Sequence, residues 1–164
     1  MNAVKLTTLI LIATALIGAA ILLYPAFALE RSQMEIAGDR IIVIDGDTVA
    51  LPCKPETGFV RGCAEKVRLK DIDTPEVSHP TCEFELQKGL EAKARLRELM
   101  SGEVVSIKRS GEIDRYGRTL GWLVLADSSD VGSILLQEGL ALNWTPGSKA
   151  KAARIAHWCG GVSQ

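Results

Sequence analysis

Three short segments of this 164-residue chain place carboxylates close to arginines or glycines. They are Asp45-Gly46-Asp47-Thr48, the stretch from Val67-Arg68-Leu69 to Asp73-Thr74-Pro75-Glu76, and Asp114-Arg115-Tyr116-Gly117-Arg118. Carboxylate and carbonyl oxygens are hard ligands, which suit Ca²⁺ and tolerate Mg²⁺ or Mn²⁺. Guanidinium groups bind phosphate oxygens in a planar, bidentate manner. The combination predicts a metal site that faces a phosphate group.

The predicted metal ligands are Asp47, Asp73 and the backbone carbonyl of Thr74. Pro75 restricts Thr74 to an extended conformation, which fixes the direction of this carbonyl and of the adjacent carboxylates. Simpler interpretations remain open at this point. The Asp-Gly-Asp segment is also typical of a hairpin turn, and the later acidic residues are also typical of the approach to a helix N-terminus.

Arg68 and Arg118 are the predicted phosphate ligands. Two arginines that converge on an acidic metal site would stabilise the additional negative charge of a pentacoordinate transition state. The simpler alternative for each is an outward-facing side chain that is solvated at the surface of a strand or turn. No Ser-His-Asp or Cys-His set is evident, and His79 is predicted to be a solvated loop residue.

Composition limits the kind of partner that the chain can bind. It has 19 Lys and Arg against 20 Asp and Glu, for a formal net charge of −1. Nucleic-acid binding would therefore require basic residues that are concentrated locally. A net charge close to zero argues against binding of nucleic acid by electrostatic attraction alone, because the affinity of such binding depends on neutralising several phosphates.

The N-terminus predicts export. Leu6 to Tyr24 is a nearly unbroken apolar run that follows Lys5 and precedes Ala26-Phe27-Ala28, which favours a signal peptide cleaved after Ala28. The run also reaches the length of a membrane span, so an uncleaved apolar helix that tethers the protein to the membrane is the alternative. Either interpretation places the rest of the chain in the periplasm or the medium. The predicted organisation is an export segment over 1–28, a linker over 29–39 and one domain over 40–164.

Four cysteines, Cys53, Cys63, Cys82 and Cys159, predict disulfides in an exported domain. Cys53 and Cys63 bracket a short loop and are natural partners, which would leave Cys82 for Cys159. Four cysteines nevertheless allow three pairings. Zinc is disfavoured because no closely spaced cysteine pair is present.

The elements that must position these groups are mostly short strands. Strands are predicted within 40–51, 66–72, 103–108, 119–125 and 140–144, and helices over 83–100, from Asp130 to about Gly139, and over 149–158 with Ser148 as cap. In the long helix, Phe84, Leu90, Ala94 and Leu99 are predicted to share the apolar face, with Leu86 and Leu96 beside them. This order predicts an α+β, mainly β, protein: a small antiparallel barrel with helices packed outside.

Together, the three segments resemble the staphylococcal-nuclease-like (thermonuclease) family, and the resemblance spans about Arg40 to Trp144. It implies an OB-type five-stranded antiparallel barrel with about three helices, preceded here by the N-terminal apolar helix. It also implies Ca²⁺-dependent cleavage of DNA and RNA phosphodiester bonds, and we expect a monomer. The tyrosines that line the family's nucleotide pocket have no clear match. Trp144 is a candidate for stacking on a base, although a core or rim position is the simpler interpretation.

The resemblance also implies roles for individual residues. Asp47, Asp73 and the Thr74 carbonyl become metal ligands, Glu76 the general base, Arg68 and Arg118 the phosphate ligands and transition-state stabilisers, and Asp45 and Tyr116 supporting residues.

Two other functions fit part of the pattern. A non-catalytic OB-type module that binds nucleic acid or protein would have no reason to keep both Asp73 and Glu76 beside two arginines. A phosphatase of the haloacid dehalogenase type would use Asp45 as its nucleophile, but that fold requires a parallel α/β sheet for which this chain has the wrong alternation of elements.

Overall fold

The computed structural model describes residues 33–53 and 63–160 of the chain. The predicted export segment and the loop between Cys53 and Cys63 lie outside the described residues. The compact unit discussed below spans Met34–Gln164. Within the described residues, no helix is both long enough and apolar enough to cross a membrane.

Eight strands and three helices make up the described part of the chain. The strands are β1 (Gln33–Ala37), β2 (Ile42–Asp45), β3 (Thr48–Pro52), β4 (Ala64–Leu69), β5 (Ile72–Asp73), β6 (Val104–Ile113), β7 (Thr119–Val124) and β8 (Leu142–Asn143). The helices are α1 (Glu83–Met100), α2 (Val131–Gln137) and α3 (Ser148–Cys159), and a 3-10 turn, Gly38–Arg40, follows β1.

Six strands form one sheet in the order β1-β6-β7-β4-β3-β2, and β5 pairs with β8 in a second, two-stranded sheet. The pairs β2–β3, β3–β4 and β6–β7 are antiparallel, whereas β4 and β7 are parallel. A parallel pair requires a long crossover connection, which α1 and β6 provide here. The predicted α+β, mainly β, class is confirmed, with a sixth strand and one parallel pair added to the expected sheet.

The predicted linker is wrong for its second half. Gln33–Ala37 forms strand β1 at the edge of the six-stranded sheet. Ile36 lies in the hydrophobic core, with Met34 packed against it, and the Gly38 amide donates to the Glu103 carbonyl at 2.9 Å. The alternating pattern in this segment contains only two apolar side chains at the core, Met34 and Ile36. Such a short pattern does not distinguish an edge strand from a polar segment.

The prediction for the buried face of α1 is correct only in part, because Leu96 is buried and Leu99 packs against the core, but other members of the predicted face do neither. Leu90 is 49% exposed, and the buried residues are Glu85, Gly89, Ala92, Leu96 and Met100. The burial of Gly89 is explained by the close approach of α1 to the backbone at Pro75. A Cβ atom on Gly89 would lie 2.7 Å from the Pro75 carbonyl oxygen. A larger side chain would therefore not fit at position 89, where α1 faces the segment after β5.

The helix ends agree only partly with the prediction. Asp130 caps α2 as expected, since its Oδ2 accepts a hydrogen bond from the Ser133 amide at 2.8 Å. Ser148 does not cap α3, because it is already the first helical residue and the cap position belongs to Gly147 at φ 101°. A left-handed backbone at the cap favours glycine over serine.

Two disulfides form, and their connectivity is the one favoured by loop length. Cys53 pairs with Cys63, and Cys82 pairs with Cys159, with Cα–Cα distances of 5.8 and 5.9 Å. The second bridge joins the cap residue of α1 to the last residue of α3. It therefore attaches the C-terminal helix directly to the helix that supports the acidic segments.

Candidate active site

The turn between β2 and β3 places Asp45 and Asp47 side by side. The ladder is irregular here, and Asp45 pairs directly with Thr48. The Asp47 amide donates to Asp45 Oδ1 at 3.2 Å. Gly46 is required at this turn, because a Cβ atom would lie 2.8 Å from both the Ala92 Cβ and the Thr74 Oγ1. The glycine thus allows the turn to pack against α1 and against the second acidic segment.

Asp47 links three segments through its carboxylate and is only 5% exposed. Its Oδ2 accepts a hydrogen bond from the Thr74 amide at 2.8 Å and lies 2.9 Å from Arg68 Nη1. Its Oδ1 accepts a hydrogen bond from Thr48 Oγ1 at 3.1 Å. A buried carboxylate with this many donors is held in a single orientation.

Arg68 joins the two predicted aspartate ligands. It projects from β4 and is 9% exposed. Its Nη1 approaches Asp47, and its Nη2 donates to Asp73 Oδ1 at 2.8 Å. The other oxygen of Asp73 lies 2.6 Å from Nε of Arg154, a residue of α3. The two carboxylates are therefore brought together by one buried guanidinium, with a second arginine on the far oxygen of Asp73.

This corner of the molecule carries concentrated negative charge. Burial and the adjacent Asp47 carboxylate raise the pKa of Asp45 to about 6, as expected for a carboxyl group that is desolvated beside a like charge. Hard oxygen donors that repel one another fit a divalent cation. No three Asp, Glu, His or Cys side chains within the described residues form a group that could hold a metal ion. A metal ion bound here would accordingly need the Thr74 carbonyl, water or substrate oxygens as further ligands.

Glu76 is exposed and lies in the segment between β5 and α1. Its Oε1 accepts a hydrogen bond from the Ser78 amide at 2.9 Å. The backbone of this segment is bound by Glu85, a buried residue of α1: Oε1 accepts from the Glu76 amide at 3.4 Å and Oε2 from the Thr81 amide at 2.6 Å. Glu85 thus positions the backbone that carries Glu76.

Glu85 was not predicted as a site residue, although the sequence contains a signal for it. A glutamate three residues after a helix cap commonly turns back to bind the amides that precede the helix. Cys82 is the cap of α1, and its Sγ accepts from the Glu85 amide at 3.4 Å. Cysteine is not a usual cap residue. Because Cys82 stands where a serine or threonine is expected, the capping motif is not evident in the sequence.

Replacing Glu85 by alanine is expected to destabilise the protein by about 2 kcal/mol, because two backbone amides lose their acceptor. Urea denaturation measures this loss, and faster hydrogen exchange at the Thr81 amide locates it. Glu91→Ala is the matched control on the same helix, since Glu91 is exposed and its one ion pair among the described residues is a surface contact with Lys88. Equal stability losses in the two variants would contradict the positioning role.

Arg118 approaches the acidic corner from the loop between β6 and β7. Its Nε and Nη2 each lie 2.7 Å from Asp114 Oδ2, and its Nη1 contacts Thr48 Oγ1 at 3.4 Å. The ring of Tyr116 packs against Arg118, with 5.4 Å between the guanidinium carbon and the ring centroid. Because Thr48 also donates to Asp47, the arginine is connected to the metal-ligand candidates through one hydroxyl group.

One cleft of about 560 Å³ contains all eight residues predicted to bind metal, to act in catalysis or to support the site. Its lining includes Asp45, Asp47, Arg68, Asp73, Thr74, Glu76, Tyr116 and Arg118. The structure also adds residues that the sequence analysis did not select: Glu85 from α1, and Lys151 and Arg154 from α3. A neighbouring groove of about 740 Å³ shares Arg118 and Tyr116 and includes Trp144, which is 48% exposed. Trp144 therefore lies at the rim of a groove rather than in the core.

The family profile described as staphylococcal nuclease homologue matches residues 66–157. This range covers more than half of the chain and extends into α3. The chain belongs to the staphylococcal nuclease homologue family. The resemblance inferred from the three acidic and basic segments is thereby confirmed.

Two relatives carry nuclease names. A protein named micrococcal nuclease from Shigella flexneri is 30% identical over 115 residues, which cover 65% of this chain and 58% of that protein. Endonuclease YhcR from Bacillus subtilis (strain 168) is 32% identical over 123 residues, which cover 71% of this chain but 9% of that protein. The chain thus spans just over half of the first relative and a small part of the second.

Proposed function

We propose that this chain is an exported, Ca²⁺-dependent nuclease that hydrolyses phosphodiester bonds of DNA, RNA or both. The main support is the single cleft in which two linked aspartates, a solvent-accessible glutamate and two arginines line a common space. Membership of the nuclease homologue family and the names of its two relatives agree with this chemistry.

Each residue has a distinct task in the proposed reaction. Asp47, Asp73 and the Thr74 carbonyl would bind Ca²⁺, which when present supplies positive charge that lowers the cost of bringing a phosphate to an acidic site. Glu76 accepts a proton from the water molecule that attacks phosphorus. Its exposure permits this role, because a base that acts on water must be reached by solvent.

Arg68 and Arg118 are proposed to bind the non-bridging phosphate oxygens and to stabilise the charge that develops in the transition state. The two guanidinium groups differ in how tightly their ion pairs hold them. Arg68 is buried between two aspartates, whereas Arg118 makes its main contact with one loop carboxylate, Asp114. Arg118 is therefore the residue with more capacity to turn toward a substrate phosphate.

Export is supported by the two disulfides, because such bonds persist in oxidising compartments. Both join cysteines of the compact unit, and one of them attaches α3, a wall of the cleft, to α1. We propose that the domain acts in the periplasm or the medium, either released after cleavage of the N-terminal segment or tethered by it.

A chelation experiment tests the proposal. The full-length oxidised protein is incubated with single-stranded DNA, duplex DNA and RNA, first with Ca²⁺ and then with excess EGTA. Chelation is expected to lower the cleavage rate by at least about a hundredfold, because charge stabilisation at phosphorus is lost, and added Ca²⁺ should restore it. Mg²⁺ and Mn²⁺ should support less activity at the same concentration.

Two other results would decide against parts of the proposal. Undiminished cleavage after complete chelation would contradict the metal requirement. Absence of cleavage on all three substrates in Ca²⁺, together with measurable binding to one of them, would favour the non-catalytic OB-type binding module instead.

A further inference from the structure

Arg154 contacts a proposed metal ligand although it lies far from that ligand in the sequence. Its Nε is 2.6 Å from Asp73 Oδ2, and its side chain is 13% exposed. The Nε–H is buried and is not aligned for a hydrogen bond, so the contact is mainly one between opposite charges. Arg154 also lines both the cleft and the neighbouring groove.

Both oxygens of Asp73 are occupied by arginines. Arg68 Nη2 binds Oδ1 at 2.8 Å, and Arg154 Nε approaches Oδ2. Each oxygen of this carboxylate therefore has a cationic neighbour. A divalent ion can bind Asp73 without electrostatic repulsion only if at least one guanidinium moves away. If both stay in place, the ion is repelled by the positive charge next to its ligand.

Arg154 is held at Asp73 by its surroundings. Its Nη1 donates to the Thr145 carbonyl at 3.0 Å. Helix α3 is attached to α1 by the disulfide between Cys82 and Cys159, and Trp158 is buried against the rest of the domain. These contacts keep the guanidinium near the site, so its charge competes with any cation that approaches Asp73.

We propose that Arg154 is a positioning residue that acts as the resident counter-ion of Asp73 and that a divalent metal ion must displace it in order to bind. The inference rests on the proposed metal site and extends it to α3. It assigns different tasks to the two arginines on Asp73. Arg68 joins Asp73 to Asp47, whereas Arg154 neutralises Asp73 in the metal-free protein and lowers its affinity for the metal ion.

The test is a calorimetric titration of the full-length oxidised protein with CaCl₂, without nucleic acid. Arg154→Gln is expected to bind Ca²⁺ about tenfold more tightly than the wild type, because a positive charge adjacent to the ligand is removed. Arg154→Lys retains the charge but cannot contact Asp73 and Thr145 together. We therefore expect this variant to bind about threefold more tightly than the wild type.

Lys151→Gln is the matched control. Lys151 lies one helical turn before Arg154, lines the same cleft and has the same charge, but no ion pair with Asp73 is seen among the described contacts. Its affinity should stay within about twofold of the wild type, since a more distant exposed charge is screened by solvent. Circular dichroism and thiol titration confirm that each variant is folded and oxidised. If Arg154→Gln fails to fold, Arg154→Lys decides the question.

The results separate this inference from the proposed function. Equal Ca²⁺ affinity in Arg154→Gln, Lys151→Gln and the wild type, or weaker binding in both Arg154 variants, would overturn the role of Arg154 and leave the metal site standing. Binding that appears only in Arg154→Gln would support the inference in its strongest form. No binding in any of the proteins would contradict the proposed metal site, and the inference with it.

Discussion

Replacing Arg118 by alanine is expected to lower kcat for phosphodiester cleavage by about a thousandfold, as for other groups that stabilise transition-state charge. The fold should tolerate the change. Arg118 is partly exposed, and its side chain makes an ion pair with Asp114, a long hydrogen bond to Thr48 and a stacking contact with the exposed ring of Tyr116. Loss of such an ion pair costs at most about 1 kcal/mol, so a large rate effect would not reflect unfolding.

Arg118→Lys refines this expectation. Lysine keeps the positive charge but lacks the planar pair of donors that matches two phosphate oxygens. The variant should therefore recover only part of the lost rate. Its kcat should be about tenfold higher than that of Arg118→Ala and still well below that of the wild type. Cleavage of a short fluorescent oligonucleotide under saturating Ca²⁺ and substrate measures kcat for both variants.

Arg109→Ala is the matched control for Arg118. Arg109 also projects from the β6–β7 hairpin and is also ion-paired, at 2.6 Å to Glu65, with a similar side-chain exposure. It is absent from the lining of the cleft. Its removal should change kcat by less than about threefold, since only a surface ion pair is lost. A kcat for Arg118→Ala within the same narrow range would refute the assigned role.

Replacing Glu76 by glutamine should also lower kcat by about a thousandfold, within the range measured for loss of a general base. The amide retains an oxygen that can accept from the Ser78 amide, as Glu76 Oε1 does now. The segment should therefore keep its conformation, and only the capacity to take a proton is removed. Urea denaturation should show a stability within about 0.5 kcal/mol of the wild type, as is usual for an exposed position.

Calcium affinity distinguishes a base from a ligand at this position. Glu76 is not among the proposed ligands, so Glu76→Gln should bind Ca²⁺ within about threefold of the wild type, because only a charge outside the ligand set is lost. Glu83→Gln, at an exposed position in the first turn of α1, controls for the loss of one carboxylate nearby. Full activity in Glu76→Gln would exclude Glu76 as the base, and a large loss of Ca²⁺ affinity would make it a ligand instead.

Much of the site was predictable because its residues come in short, ordered segments. The Asp-Gly-Asp turn, the segment around Asp73 to Glu76 and the loop that ends at Arg118 each contain their chemistry within a few residues. Ligand preference depends on the type of donor atom, and local rigidity depends on glycine and proline. The fold then brings the eight predicted metal-binding, catalytic and supporting residues into one cleft.

The errors that the structure reveals concern packing. The predicted apolar face of α1 followed side-chain hydrophobicity, yet the helix also buries Gly89, which lies against the Pro75 carbonyl, and Ala92, which lies beside the turn at Gly46. Strand β1 was read as part of a linker because two core residues give too weak a pattern. In both cases the deciding contacts come from segments that are distant in the chain.

The residue types and their spacing were enough to propose the reacting groups: two aspartates and a carbonyl for a hard cation, a glutamate for a proton, and two arginines for phosphate. Tertiary structure alone decided how these charges are paired. It placed Glu85 under the Glu76 segment and Arg154 against Asp73. Such pairings depend on how α1 and α3 pack and on the Cys82–Cys159 bridge, and no local pattern of residues encodes a distance between distant segments.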